Sequence, residues 1–395
     1  MRRATSSLFG IVGLLFLGCG GEALPLERPP VEEGEELGER SEELRIALGP
    51  RGIAAEFSTQ SEFTFGVAGD KRVVFVTKPL DKKITVLDRF TGKFIADIPG
   101  PPGGWGFPFK LRVPEDGHLV VLDPGGFGGP EIPIPKVYDV QYDYAKKKFT
   151  SSISRTISFE GLPVPFLEDV EVLADGTYVV SEPIIGSIWT ISPGGAVVPA
   201  VFPLIPFDPD HSIPQLAACP FVGSLVVDGI PVSPAGGIAP GINPLATRNG
   251  TLYFAGTCTG GFHKIPLATL FDGTRTPDQR AADIATVSPR APGTLEAFEG
   301  IAFNPTRPND PWLYAGDAFN LRIIRVNVNT GVREVVVGDR TLFNFPTGLQ
   351  FLPPVLGVSP LIVASDQQHR WATFNTNLSQ DLFEPWVMAK VLPFD

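Results

Sequence analysis

Histidine is scarce in this chain, with four among 395 residues. His118, His211, His263 and His369 are scattered, and no HxH, HExxH or Cys/His cluster joins them, which excludes a zinc site of those kinds. There is no GxSxG elbow, so a nucleophile of the α/β-hydrolase type is excluded. Gly100–Gly106 (GPPGGWG) lacks the lysine of a phosphate-binding loop and reads as a turn. Basic residues are in deficit, 32 Lys and Arg against 43 Asp and Glu, for a net charge of −11. Glu22 to Arg45 carries −6 of that, the chain from Ile46 onward −7, and Arg2 and Arg3 return +2. With no basic stripe, the electrostatic footprint of a nucleic-acid binder is absent. No long amphipathic helical period is found either. Cysteine is limited to Cys19, Cys219 and Cys258.

The N-terminus reads as an address. Arg2 and Arg3 precede an apolar stretch of 11 residues, Leu8–Gly18, too short to span a bilayer and suited to a signal peptide. It ends Phe16-Leu17-Gly18-Cys19, which resembles the lipobox of bacterial lipoproteins, with Cys19 as the lipidated residue. An ordinary cleaved secretory signal is the alternative. Residues 20–56 are then an acidic, Pro- and Glu-rich tether without the apolar content to order itself. No Asp follows Cys19, so the expected place is the outer membrane of the cell envelope, facing periplasm or surface. In an oxidising compartment Cys219 and Cys258 either pair or remain two buried thiols.

Turn and strand residues are abundant: 43 Gly and 41 Pro are spread between apolar runs, and Phe reaches 29. One phrase keeps returning, a short apolar strand, a polar turn and a second strand ending near an acid. It appears in Lys110–Asp123 (KLRVPEDGHLVVLD), Asp169–Glu182 (DVEVLADGTYVVSE), Leu245–Gly256, Gly300–Asp317 and Gly348–Asp366. The second strands end near Thr77, Asp123, Glu182, Gly256, Asp317 and Asp366, at intervals of 46, 59, 74, 61 and 49 residues. Third strands are expected at Ile84–Asp88, Lys136–Tyr142, Ser187–Ile191, Phe262–Ile265, Arg322–Asn327 and Arg370–Phe374. Fourth strands are expected at Lys93–Ile98, Val332–Val337 and Trp386–Val391. Four short strands per repeat, with Gly turns, predict an all-β chain, a six-bladed β-propeller over 57–395. A seven-bladed ring is the alternative, its extra blade lying in Ala196–Gly241. The preferred reading of that Pro-rich segment is a surface excursion capping one face.

Innermost strands line the channel of a propeller, so the residues opening them are candidate site residues. These are Phe109, Glu168-Asp169, Asn243-Pro244, Glu299-Gly300 and Thr347-Gly348. Glu168, Asn243 and Glu299 offer hard oxygen donors suited to Ca²⁺ or another divalent cation. The same residues also suit strand capping, and both readings stand. Asp123, Asp317 and Asp366 read as turn acids that accept backbone N–H groups. Trp189, Trp312, Trp371 and Trp386 read as filler between blades. Trp105, in a Gly-rich loop just before an inner strand, is the aromatic placed to touch a ligand.

At these residues the chain resembles the six-bladed propellers of the gluconolactonase, senescence-marker-protein and strictosidine-synthase-like group, and NHL-repeat propellers, over roughly Ser61–Asp395. The resemblance implies a calcium site at Glu168, Asn243 and Glu299 and a lactone- or ester-hydrolysing activity. Phe109 and Thr347 supply no such ligand, which favours a different function. That function is a lipid-anchored, monomeric module binding a small molecule or an envelope protein, with no nucleic-acid partner.

Overall fold

The computed structural model describes residues 53–59, 64–126, 134–145, 148–184, 186–201, 226–231, 241–256, 261–290, 295–340, 342–355, 357–370 and 386–391. Six antiparallel four-stranded sheets hold nearly all the regular structure among them. Blade 1 runs from the inner strand Val67–Gly69 through Val73–Lys78 and Lys83–Asp88 to Phe94–Asp97. Blade 2 is Lys110–Glu115, His118–Asp123, Lys136–Ala145 and Lys148–Ser158, and blade 3 is Asp169–Val172, Tyr178–Glu182, Ser187–Ile191 and Val197–Val201. Blade 4 is Ile242–Arg248, Thr251–Gly256, Phe262–Pro266 and Ala285–Ser288. Blade 5 is Phe298–Phe303, Trp312–Asp317, Arg322–Asn327 and Arg333–Gly338.

Blade 6 is built from both ends of the chain. Pro346–Phe351, Leu361–Ser365 and Trp386–Val391 are completed by Ile53–Thr59, which pairs with Trp386–Val391 from Thr59 opposite Trp386 to Ile53 opposite Val391. Trp386–Val391 is therefore a third strand and not a fourth, because the N-terminal strand takes the outer position. Gln368–Arg370, where a third strand was expected to begin, is a 3₁₀ turn. Each inner strand packs against the next, and Pro346–Phe351 returns to Val67–Gly69, so the ring closes at six. The inner strands of blades 3 and 4 are direct neighbours, which leaves no place for a seventh blade. Among the described residues, Ala196–Gly241 supplies the whole outer strand of blade 3, Val197–Val201, and a hairpin, Val226–Val227 with Ile230–Pro231.

The strand sequences follow from this packing. Second strands are covered on both faces by neighbouring blades and are buried along most of their length, as in Tyr178–Glu182 and Leu361–Ser365. The outer strand Lys148–Ser158 alternates exposed and half-buried residues, as a rim strand should. Third and fourth strands are joined by a repeated device. Asp88 Oδ1 accepts the Phe90 and Thr91 N–H groups, and Gly92 takes φ 70°; Asn327 and Gly331 (φ 74°) repeat the arrangement in blade 5. Glycine suits both positions because a side chain disfavours that backbone region.

The core is a set of apolar seams, one between each pair of adjacent blades. The seam between blades 2 and 3 is rich in aromatics, including Phe107, Phe109, Phe159, Phe166, Tyr178 and Trp189. Among the described side chains, the seam between blades 6 and 1 has only aliphatic residues: Val67, Val74, Val76, Leu87, Leu352, Ile362 and Ala364. Helices are short, Leu267–Leu270 and Pro277–Ala281, and among the described residues no helix is long and apolar enough to cross a membrane.

Candidate functional site

The inner strands open on β-bulges. Register skips one residue or more between Ile242 and Leu245, between Phe298 and Gly300, and between Pro346 and Gly348. The residues released from pairing include Asn243, Glu299 and Thr347. A bulge frees a residue from the ladder and re-aims it, and here each turns toward the channel. The strands crowd one another at this level. A Cβ on Gly66 would lie 2.2 Å from the Phe109 carbonyl oxygen, and one on Gly348 would lie 2.4 Å from that of Phe65.

The three sequence-predicted residues converge. Asn243 Nδ2 donates to Glu299 Oε2 at 2.5 Å, and the Asn243 amide also bonds the Glu168 carboxyl. Glu168 is buried, and its Oε1 has no hydrogen-bond partner. Two residues not anticipated as site residues complete the cluster. Lys110, also buried, extends from blade 2 across the channel, where Nζ donates to the carbonyl oxygens of Glu299 (2.7 Å) in blade 5 and Thr347 (3.1 Å) in blade 6. Its Nζ stands 4.6 Å from the centre of the Phe65 ring, which stacks on Phe109 at 3.7 Å. Asp366 was read as a turn acid, and its Oδ1 does accept the Gln368 N–H at 2.9 Å. Its Oδ2 has no hydrogen-bond partner among the described residues, and the carboxyl lies within the electrostatic reach of Glu299 and Lys110.

Burial sets the protonation of this cluster. It pushes Glu168 and Asp366 well above the usual carboxylate range, and Glu299 upward as well, with the charge of Glu299 adding to the effect on both neighbours. The Lys110 ammonium opposes the rise at all three. Beside Asp366 the mouth holds two more buried polar side chains. Among the described residues, Asn344 has neither amide atom bonded, and His369 has neither ring nitrogen bonded while it stacks on Phe345 at 5.6 Å. Burial lowers His369 to about 3, so its ring is neutral at pH 7. The hairpin Val226–Pro231 covers this side of the mouth, with Val227 packed on Ala297, Phe319 and Phe345 and Asp228 paired to Arg370 at 3.2 Å. Deeper in, Arg112 links Asp169 (2.9 Å) and Glu171 (3.3 Å) and closes the channel below Lys110.

Other candidates sit elsewhere. Trp105 is buried between blades 1 and 2, donating Nε1–H to the Ile98 carbonyl and meeting Tyr138 edge-on. Asp123 accepts the N–H groups of Gly106, Phe107 and Gly125, as a turn acid does, whereas Asp317 accepts from the side chains of Asn320 and Arg322 and pairs with the latter as an ion pair. Cys19, Cys219 and Cys258 lie outside the described residues. The signal that could have found Lys110 was a base in the opening position of an inner strand, next to Phe109. Asn344 and His369 carried no signal, because what sets them apart is an unfilled bonding capacity that only packing reveals.

The donor types at Glu168, Asn243 and Glu299 suit a hard cation, and the unbonded Glu168 Oε1 points the same way. Their arrangement does not. Asn243 turns its NH₂ group to Glu299, and the carbonyl oxygens of Glu299 and Thr347, which a cation would also seek, are already held by an ammonium. As they stand, these residues do not fit a divalent ion.

No protein-family model and no curated protein matches the sequence. Solved structures do match the fold. A luciferin-regenerating enzyme superposes with a TM-score of 0.52 at 12% identity, over 86% of this chain and 97% of that one. A calcium-binding protein, regucalcin, from Agrobacterium tumefaciens gives 0.51 at 12% identity, over 86% and 93%. A gluconolactonase from Xanthomonas campestris gives 0.48 at 12% identity, over 85% and 88%. What this chain shares with them is the propeller fold.

Proposed function

We propose that the chain is an exported, lipid-anchored propeller of the cell envelope that binds a small polar ligand or an envelope protein at the channel mouth without turning it over. The observation that carries this reading is the group of buried, unbonded polar atoms at one mouth: Glu168 Oε1, both amide atoms of Asn344 and both ring nitrogens of His369. Buried polar groups in folded proteins are nearly always bonded, so a cluster without partners is capacity held for something else. Neutral His369, the Asn344 amide and carboxyls pushed toward their protonated forms offer donors and acceptors with little net charge. They suit a neutral, hydroxylated molecule. The anchor rests on the Arg2–Cys19 pattern.

The test is calorimetric titration of the full chain in detergent with neutral sugars and polyols. Saturable binding is expected, weakened about tenfold or more by Asn344→Ala through loss of paired hydrogen bonds. Absence of binding across the panel, or binding indifferent to Asn344, would sink the reading. Labelled palmitate is expected on the wild-type chain and not on Cys19→Ala; label retained in that variant would remove the anchor. A second reading, a metal-dependent lactone hydrolase, is favoured by the unbonded Glu168 oxygen alone. It requires hydrolysis of a lactone that stops when divalent ions are chelated.

A further inference from the structure

We propose that this channel carries its own cation: the Lys110 ammonium is the resident positive charge of the Glu168–Glu299–Asp366 cluster, and it takes the place of a divalent metal ion. The inference concerns the interior of the channel and stands whether or not the mouth binds a ligand.

Lys110 opens the inner strand of blade 2 and reaches the carbonyl oxygens of blades 5 and 6, so its side chain spans the ring. Both carbonyls belong to bulged residues, freed from the ladder and turned inward. Inward carbonyl oxygens with nearby carboxyls are the oxygen-rich surroundings a hard cation uses. An ammonium satisfies them by donating hydrogen bonds, with Phe65 adding a cation–π contact. The inner strands meet closely at this level: a Cβ on Gly300 would lie 2.7 Å from the Thr347 carbonyl oxygen, and one on Gly348 would lie 2.4 Å from that of Phe65. Burial lifts all three carboxyls above their usual range, and the lysine opposes that rise at each of them. A second cation brought among them would meet the ammonium at close range in a poorly screened site.

The experiment compares the full-length wild type with Lys110→Met, which keeps most of the chain length and the apolar contact with Phe65 while removing the charge. Both are stripped with chelator and titrated with CaCl₂ by calorimetry. The wild type is expected to show no saturable binding through the low millimolar range. Lys110→Met is expected to bind Ca²⁺ at least about tenfold more tightly than the wild type, and to lose that binding when Glu168→Gln is added. Saturable binding by the wild type that disappears in Glu168→Gln would make the metal the resident cation and overturn the proposal. Folded Lys110→Met that binds no Ca²⁺ would overturn it equally. Should Lys110→Met not fold, ¹⁵N spectra of lysine Nζ in the chelator-treated wild type decide. A protonated, slowly exchanging Lys110 at neutral pH is expected, and a neutral amine there defeats the idea.

Discussion

Asp366 shows how one carboxyl can belong to a turn and to a site at once. One oxygen accepts a backbone N–H, as in ordinary turn acids, while the other faces the channel. Burial raises its pKa well above the usual value, so its stabilising contribution is present below the unfolded value near 4 and is lost as pH rises through the folded value. His263 and His369 run the other way. Burial lowers them to about 4 and about 3, so their contribution is present above about 6.5 and is lost as pH falls toward those values. Asp366→Asn keeps the oxygen that holds Gln368 and removes the titration. Relative to wild type it is expected to gain about 1–3 kcal/mol between pH 4 and pH 8, the scale of a buried group left unsatisfied. Urea unfolding at the two pH values reads this directly, and parallel profiles for the two proteins would show that Asp366 titrates normally. The sequence revealed only half of this residue: its position at a strand end predicts the turn, but its second oxygen depends on Lys110 and Glu299, which are distant in sequence.

Among the described residues, Ile53–Thr59 and Trp386–Val391 are the paired strands furthest apart along the chain. The backbone ladder between them closes a ring whose seam between blades 6 and 1 has no aromatic residue among the described side chains. Deleting residues 1–52 leaves the ladder intact and is expected to leave Tm unchanged. Deleting residues 1–59 removes the strand. At about 1 kcal/mol net per ladder hydrogen bond, that loss amounts to several kcal/mol and lowers Tm by roughly 5–10 °C. Calorimetric melting of the two truncations against the full chain separates these outcomes, and equal Tm values for all three would show that closure does not depend on the strand. Within blades the sequence was highly legible, because hairpins are local and their turns carry Gly, Asp and Asn at fixed offsets. Closure was not, because the pairing of Ile53–Thr59 with Trp386–Val391 leaves no local pattern. The final blade was accordingly misnumbered by one strand.

At the scale of the whole molecule, six seams of similar construction surround a channel in which charge is concentrated. Periodicity predicts such a ring, since each unit buries its faces only against its neighbours. It also locates Glu168, Asn243 and Glu299, because equivalent positions in successive units must converge on the axis. Their environment was hidden because it comes from opposite blades: blade 2 supplies a lysine to carbonyls of blades 5 and 6. The closing strand has a mechanical consequence as well. The 52 residues that precede Ile53 lead directly into the outermost strand of the blade that joins the circle. Tension applied from the N-terminus is therefore borne first by the latch, and a pull strong enough to strip it would leave the last blade with three strands.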